Sequence, residues 1–313
     1  MTETQLHTID CHYVEPGLAC AYLRLEGEEA AFIETNTTHA VPRLLEALEA
    51  AGRARESVRY IIVTHVHLDH AGGASALAAA CPNATVLAHP RAARHLIDPD
   101  KLVRSASAVY GEERFRELYG EILPIDAARV RSLEDGDEVE LGGAPLHFHH
   151  TRGHANHHFV VHDPKRDTVY TGDTFGLAYP RLQRGGRFAY PSTSPTDFDA
   201  AAAHESVKKV LALGTSTVCL THFGEIDQLE ETASQLHRWL DRSADLFDQA
   251  RGWPEQEREK RIYAGLEQTM NEAAEARGLE LDEADRALMA FDLDLNAQGI
   301  AFAVTRAEKK AEG

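Results

Sequence analysis

The densest chemistry in the sequence lies in one run, Thr64-His65-Val66-His67-Leu68-Asp69-His70-Ala71-Gly72-Gly73. Three imidazoles and a carboxylate crowd into it. Imidazole is the commonest protein ligand for transition metals and the main proton carrier near neutral pH. His65 and His67 are two residues apart, so on an extended segment both project to one side. Asp69 and His70 continue into a turn and can face a second ion. The competing reading is a surface loop rich in histidine by chance. A His-x-His-x-Asp-His string is nonetheless rare, even in a chain with 18 histidines. Three more donors follow downstream, each after a short β-type run. They are His154 in Thr151-Arg152-Gly153-His154, Asp173 in Thr171-Gly172-Asp173-Thr174, and His222 in Leu220-Thr221-His222-Phe223-Gly224. Singly each is weak, because a lone histidine after a strand is usually structural. In this order behind the first run they are a strong signal.

The elements around these residues read as an α/β alternation. Ala19 to Leu25 and Ala30 to Thr35 are short strand-like runs around Gly27. Val41, Leu44, Leu45 and Leu48 have helical spacing, and Gly52 ends that helix. Tyr60 to Val63 is a continuous apolar run, as expected of a strand buried on both faces, and it leads straight into His65. Ala71 to Cys81 reads as a helix stopped by Pro82, and Thr85 to Ala88 as another strand. Residues 91–132 read mainly as helix. Strands resume at Glu138 to Leu141, Leu146 to His150, His158 to His162 and Thr168 to Tyr170. Val207 to Leu213 reads as a helix, Thr217 to Leu220 as a strand, and everything from Gln228 as helix punctuated by Gly252, Pro254, Gly265 and Gly278. Two parts are expected: 1–227 as a catalytic domain and 228–313 as a helical extension that caps the pocket or makes a homo-oligomer contact.

Composition narrows the partners. Lys and Arg total 32 against 50 Asp and Glu, a net charge of −18. Such a surface repels phosphate backbones and anionic membranes, so neither nucleic acid nor membrane is expected as a partner. No run approaches the ~18 consecutive apolar residues of a membrane helix. Met1 to His12 has neither a basic nor an apolar signal region, so the expected location is cytoplasmic. Cys11, Cys20, Cys81 and Cys219 form no Cys-x-x-Cys pair and are expected as buried, reduced thiols.

The order Thr-His-x-His-x-Asp-His, Gly-His, Thr-Gly-Asp, Thr-His resembles the metallo-β-lactamase superfamily. The look is that of its glyoxalase-II-like branch, with the HAGG run, Ala88-His89-Pro90, His95 to Pro99 and Leu295 to Gly299 recurring. The resemblance implies a four-layer αββα sandwich with metals at one edge. By motif, His65, His67 and His154 would hold a first ion, Asp69, His70 and His222 a second, and Asp173 would bridge them. That donor set suits two Zn²⁺, with Fe or Mn as alternatives. A hydroxide shared by the ions would attack the carbonyl of a thioester, ester or lactone, with Asp69 orienting it. Two departures stand out: Arg152 replaces the usual proline before Gly-His, and Glu34 stands where an Asp commonly ends the second strand.

The substrate, a small molecule, is expected to meet the stretch Phe175 to Pro195. There Tyr179 and Tyr190 could hydrogen-bond an oxyanion, and Arg181, Arg184 and Arg187 could grip a carboxylate or phosphate. A solvated loop is the plain alternative. The rival activity is a mononuclear-iron persulfide dioxygenase, whose triad would be His65, His154 and Asp173. A true β-lactamase, an RNase Z-type phosphodiesterase and a flavodiiron oxidoreductase fit less well. A scaffold with a dead site is disfavoured because all seven ligand positions are filled.

Overall fold

The strands assemble into two six-stranded sheets among the residues that the computed structural model describes, 4–194 and 196–312. The first holds β1 (Thr4–Asp10), β2 (Cys20–Glu26), β3 (Glu29–Ile33), β4 (Val58–Ile62), β5 (Thr85–Ala88) and β6 (Val130–Ser132), in that spatial order. The second holds β7 (Glu138–Leu141), β8 (Ala144–Thr151), β9 (His158–Asp163), β10 (Thr168–Gly172), β11 (Thr217–Leu220) and β12 (Gly224–Ile226), again neighbour by neighbour. Both sheets are mixed. β1 to β3 pair antiparallel and β3 to β6 parallel, while in the second sheet β10 and β11 pair parallel and β9 with β10, β11 with β12 and β7 with β8 antiparallel.

Alternation of side chains explains the layers. In β2, Cys20 and Tyr22 point into a core shared by the two sheets, where they meet Ile33, Ile62, Leu146, Phe148, Phe159 and Tyr170. Ala21, Leu23 and Leu25 point the other way, into a second core. That core is covered by α1 (Val41–Ala50), the short α2 (Leu68–Ala71), α3 (Ala74–Ala80) and α4 (Pro90–Ile97). A strand buried on both faces needs apolar residues at every position, which is why β4 shows no alternation over its last three residues. A charged group lies inside: Arg24, Glu26 and Asp163 are all fully buried, and the Arg24 guanidinium donates to Asp163 at 2.6 Å and to Glu26 at 3.0 Å. The pair joins β2 to β9 across the two sheets.

The chain divides into two compact units. The first comprises 4–150, 157–172 and 215–227, and contains both sheets, α1 to α4, α5 (Asp100–Tyr110) and α6 (Glu112–Tyr119). The second comprises 151–156, the described part of 173–214, and 228–312. It is built on α7 (Ala200–Ala212), α8 (Leu229–Ala250), α9 (Glu255–Glu275) and α10 (Glu283–Glu312). The chain is thus an α/β sandwich of two mixed sheets with helices and a helical C-terminal region.

Several elements differ from the sequence expectation. β1 has no apolar run to announce it; it forms because β2 offers a full edge, and all seven of its residues pair in register. The helix read over Ala71 to Cys81 is two helices separated by Gly72 and Gly73. At Gly73 a Cβ would lie 2.8 Å from both the Thr35 and Thr37 carbonyl oxygens, so the chain there must be glycine for the 35–37 loop to approach. α7 starts seven residues earlier than its apolar spacing suggests, because Asp199 caps it, accepting from Ala202 N–H at 3.0 Å. Gly265 is no punctuation; it lies inside α9, packed against Leu246. α10 is long and apolar enough to cross a membrane by length and composition alone, a test that a buried core helix also passes. Half of that stretch is buried, with Leu293, Ala297, Ile300 and Val304 in the interior.

Candidate metal centre

The first unit gathers five of the seven expected ligands. β4 delivers the chain to a buried Thr64 and His65. His67 then takes an extended conformation and its carbonyl accepts from the His70 and Ala71 N–H groups, which closes the one-turn helix α2. The 35–37 segment straps onto that turn. Thr35 donates through both its N–H and its hydroxyl to the His70 carbonyl, and Asn36 Nδ2 donates to the Asp69 carbonyl at 2.8 Å. The turn carrying Asp69 and His70 is therefore fixed by backbone contacts rather than by its own four residues.

His222 reaches the same place from the end of β11. Its Nδ1–H donates to the Leu18 carbonyl at 2.7 Å, which turns Nε2 toward Asp69, 3.3 Å from Oδ2. His70 Nε2 lies 3.7 Å from that same oxygen. Asp69, His70 and His222 thus each present one ligand atom, all within 4.8 Å of one another. His65 sits beside them, its ring centroid 4.0 Å from that of His70 and 4.5 Å from that of His67. Imidazole nitrogens with a carboxylate oxygen at this spacing are the donor set of Zn²⁺, Fe or Mn, so the residues fit a metal.

The second unit holds the other two expected ligands. His154 Nε2 lies 3.5 Å from Asp173 Oδ2, and both residues are buried. His154 Nδ1–H donates to the Ser192 carbonyl at 3.2 Å, so again Nε2 is the nitrogen turned to the carboxylate. The loop before His154 is clamped to α7. Gly153, at φ 113°, has no room for a Cβ against Ala203, and its carbonyl accepts from Asp199 N–H at 2.9 Å. Arg152 explains its own departure: its backbone N–H donates to Ser206 Oγ at 2.9 Å, a bond proline could not make.

The candidate substrate residues have other occupations in the second unit. Arg181 donates to Asp285 at 2.7 Å and to both oxygens of Asp282, and Arg184 donates to Asp285 at 2.5 Å. The Arg184 guanidinium beside Asp285 holds that carboxyl well below the usual range. Tyr190 is fully buried and donates to Asp292 at 2.7 Å. Tyr179 is buried beside it, and Arg187 donates to Gln183 at 3.2 Å. The stretch 175–194 is therefore core as much as loop: Phe175, Leu182 and Phe188 are buried too, while Pro195 lies outside the described residues.

The other histidines sort plainly. His158 is buried beside His65, its centroid 4.8 Å away, and His157 lies 6.1 Å from the same ring. His150 donates to the Leu133 carbonyl at 2.9 Å, and its ring lies tilted against that of His89, centroids 4.1 Å apart. His89 caps α4, accepting from Arg91 N–H at 3.0 Å; burial, then the neighbouring His150, pulls its pKa down to about 4. All four cysteines are buried and free. Burial pushes the Cys81 thiol up to about 11, so it is no thiolate near neutral pH. Sequence reasoning missed the backbone acceptors of Leu18 and Ser192. No signal could have revealed them, because every residue carries the same carbonyl.

Comparison with known proteins adds the relatives. The family model of the metallo-beta-lactamase superfamily matches residues 19–222. A metallo-beta-lactamase fold-containing protein of Sulfurisphaera tokodaii is similar at 27% identity over 238 residues, 74% of this chain and 84% of that one. The crystal structure of an archaeal superfamily protein from Sulfolobus tokodaii superposes with a TM-score of 0.65 at 22% identity, covering 94% of this chain and 97% of that one. A family protein from Thermus thermophilus gives 0.65 at 20%, covering 98% and 94%. A human acyl-coenzyme A thioesterase is 27% identical over 135 residues, 42% of this chain and 46% of its own.

Proposed function

This chain belongs to the metallo-beta-lactamase superfamily, and from that premise we propose that it is a dinuclear metal hydrolase of a thioester, ester or lactone, with thioesters first. The carrying observation is the Asp69, His70 and His222 group, whose ligand atoms lie within 4.8 Å of one another. His222 is held there by the Leu18 carbonyl with Nε2 turned inward. We assign His65, His67 and His154 to one ion, Asp69, His70 and His222 to the other, and Asp173 to both, on the order of the motifs. Zinc is the first choice of metal. Thioesters lead because the human thioesterase shares 27% identity over its matched part.

When bound, such ions lower the pKa of water from 15.7 to about 7 and polarise a carbonyl oxygen. The chain's own residues do the rest. His222 and His154 each give Nδ1–H to a backbone carbonyl, which fixes the tautomer that leaves Nε2 as a lone-pair donor. Asp69 is half-buried, with one oxygen toward two imidazoles, and can accept a hydrogen bond from an attacking water and hold its lone pair toward the carbonyl carbon. No serine or cysteine nucleophile is required.

Elemental analysis of the protein purified from metal-supplemented cells tests this, followed by a panel of acyl-thioesters, esters and lactones. About two zinc per chain and chelator-sensitive hydrolysis are expected. One iron per chain with oxygen uptake on glutathione persulfide would overturn the hydrolase in favour of persulfide oxygenation. No retained metal would overturn both.

A further inference from the structure

We propose that the outward face of α10 docks a second copy of this chain, the two α10 helices lying antiparallel across a two-fold axis. α10 runs for 30 residues and is apolar on more than one side. Met289, Leu293, Ile300 and Val304 are buried in the interior of the second unit. Half a turn away the helix carries Ala287, Phe291, Leu295, Gln298 and Phe302. Phe291 is 52% exposed and Phe302 43%. Their spacing in the sequence is close to three full turns, so they lie on one line along the helix, about 16 Å apart. The other exposed large apolar side chains among the described residues are Val14 and Leu123, both outside α10. Scattered apolar exposure is ordinary, but an aligned apolar face on a helix whose other face is already buried marks a contact surface.

Charge decides which partner covers it. The helix begins acidic, at Glu283, and ends basic, at Lys309 and Lys310. All three are exposed and make no ion pair among the described residues. A parallel pair would set lysines against lysines. An antiparallel pair sets the acidic start of each helix beside the basic end of the other, and opposes the two helix dipoles. One axis, level with the Asn296–Ala297 bond, satisfies the whole face at once. Across it Phe291 meets Phe302 of the second copy, Leu295 meets Gln298, and Glu283 meets Lys310, each pair equidistant from the axis in sequence. That self-complementarity is what a two-fold interface requires, since every contact is made twice. A lipid surface fits less well, because a net charge of −18 is repelled by anionic membranes. The face lies beyond residues 19–222, which the family model matches, and it needs no metal. The inference therefore stands apart from the hydrolase reading.

Sedimentation velocity of the full chain, from about 1 to 200 µM, tests it; a seam of one helix per copy belongs with small interfaces, whose dimers dissociate on dilution. The mass is expected to rise with concentration from 34.5 kDa toward twice that value. Phe291→Ser and Phe302→Ser should each weaken the dimer by at least about tenfold. The double variant should fall well short of the product of the two, because in this alignment both single changes break the same ring contacts. Glu283→Lys should weaken the dimer about threefold, and adding Lys309→Glu and Lys310→Glu should restore it. A chain that stays at 34.5 kDa throughout overturns the proposal, as does a dimer indifferent to both Phe variants. Multiplying Phe effects with no charge-swap rescue overturns the antiparallel pairing. A monomer that co-sediments with phosphatidylcholine vesicles, and loses them in Phe302→Ser, assigns the face to lipid instead. Circular dichroism checks each fold; if a Phe variant does not fold, the charge swap decides, rescue supporting the pairing and its absence overturning it.

Discussion

The metal turn at 64–73 and the arginine stretch at 175–194 are both polar, and both looked functional. They differ in where their partners lie. In the turn, the chemistry is local: His65, His67, Asp69 and His70 fall within six positions and meet because one strand ends and one short helix begins. In the arginine stretch, Arg181 and Arg184 find their partners about a hundred positions downstream, at Asp282 and Asp285. Asp282 and Asp285 also exchange backbone-to-side-chain bonds at the start of α10, a capping box. The arginines thus brace a helix start. In this chain the polar cluster whose first members lie close in sequence is the one that gathers metal-type donors. The arginines are accounted for by distant counterions that the local sequence does not reveal.

The largest effect that can break this comparison is loss of a ligand in the turn. His70→Ala is expected to lower chelator-sensitive hydrolysis by about 10³-fold, the equivalent of several kcal/mol of lost charge stabilisation, and to leave the melting point of the apo protein within a few degrees. Steady-state kinetics and apo thermal melts check it. Activity within tenfold of wild type would mean that the turn is no more functional than the arginines. In the opposite region, Asp285→Ala is expected to destabilise by about 2–3 kcal/mol, because it removes charged hydrogen bonds and half of the capping box. The melting point should fall by roughly 5–8 °C while KM stays within twofold. A raised KM with an unchanged melt would return Arg181 and Arg184 to the substrate.

Much of the fold was legible because its period is local. The buried strand at 60–63, the helix from Val41 and the apolar positions Leu236 and Leu240 of α8 follow directly from spacing. β1 was not, because an edge strand of mixed residues is made by its neighbour's hydrogen bonds, not by its own composition. The ligand types were legible in the same way, and their geometry was not. His222 is aimed by the Leu18 carbonyl, and His70 by Thr35 and Glu34, none of which carries a pattern that points to a metal. Tyr190 and Asp292 meet across the second unit, so a tyrosine that reads as a surface hydrogen-bond donor is a core residue.

Acid sharpens the contrast between the units, because each holds a group whose pKa is strongly lowered. His89, in the first unit, has its pKa lowered to about 4. Its neutral form caps α4, so its contribution is complete above the unfolded value near 6.5 and declines as pH falls toward 4. Asp285, in the second, is depressed by Arg184. Its contribution is complete above the ordinary carboxylate value of about 4 and is lost only as pH falls below that. Melting points from pH 7.5 to 3 should therefore show two phases. His89→Asn, which keeps a capping oxygen, should remove up to about 2 kcal/mol of the loss between pH 6.5 and 4 and leave the lower phase in place. If the Asn variant keeps the upper phase, that phase belongs to another histidine.

The smallest expected effect joins the two kinds of region. Asp199 caps α7, and its N–H holds the Gly153 carbonyl in the loop that carries His154. Asp199→Ala removes only the side-chain cap and should cost about 1 kcal/mol. Asp199→Ser, which caps with a hydroxyl, should recover most of it. The backbone bond to Gly153 survives either change, and Ser206 still accepts from the Arg152 N–H and donates to its carbonyl. Metal retention should therefore stay within about threefold of wild type, since 1 kcal/mol is roughly a factor of five and is not all borne by the loop. A tenfold drop in Zn²⁺ affinity in Asp199→Ala, restored in Asp199→Ser, would make the cap part of how His154 is aimed. A residue 45 positions from its ligand would then matter to the centre, which the local spacing of the turn gives no reason to expect.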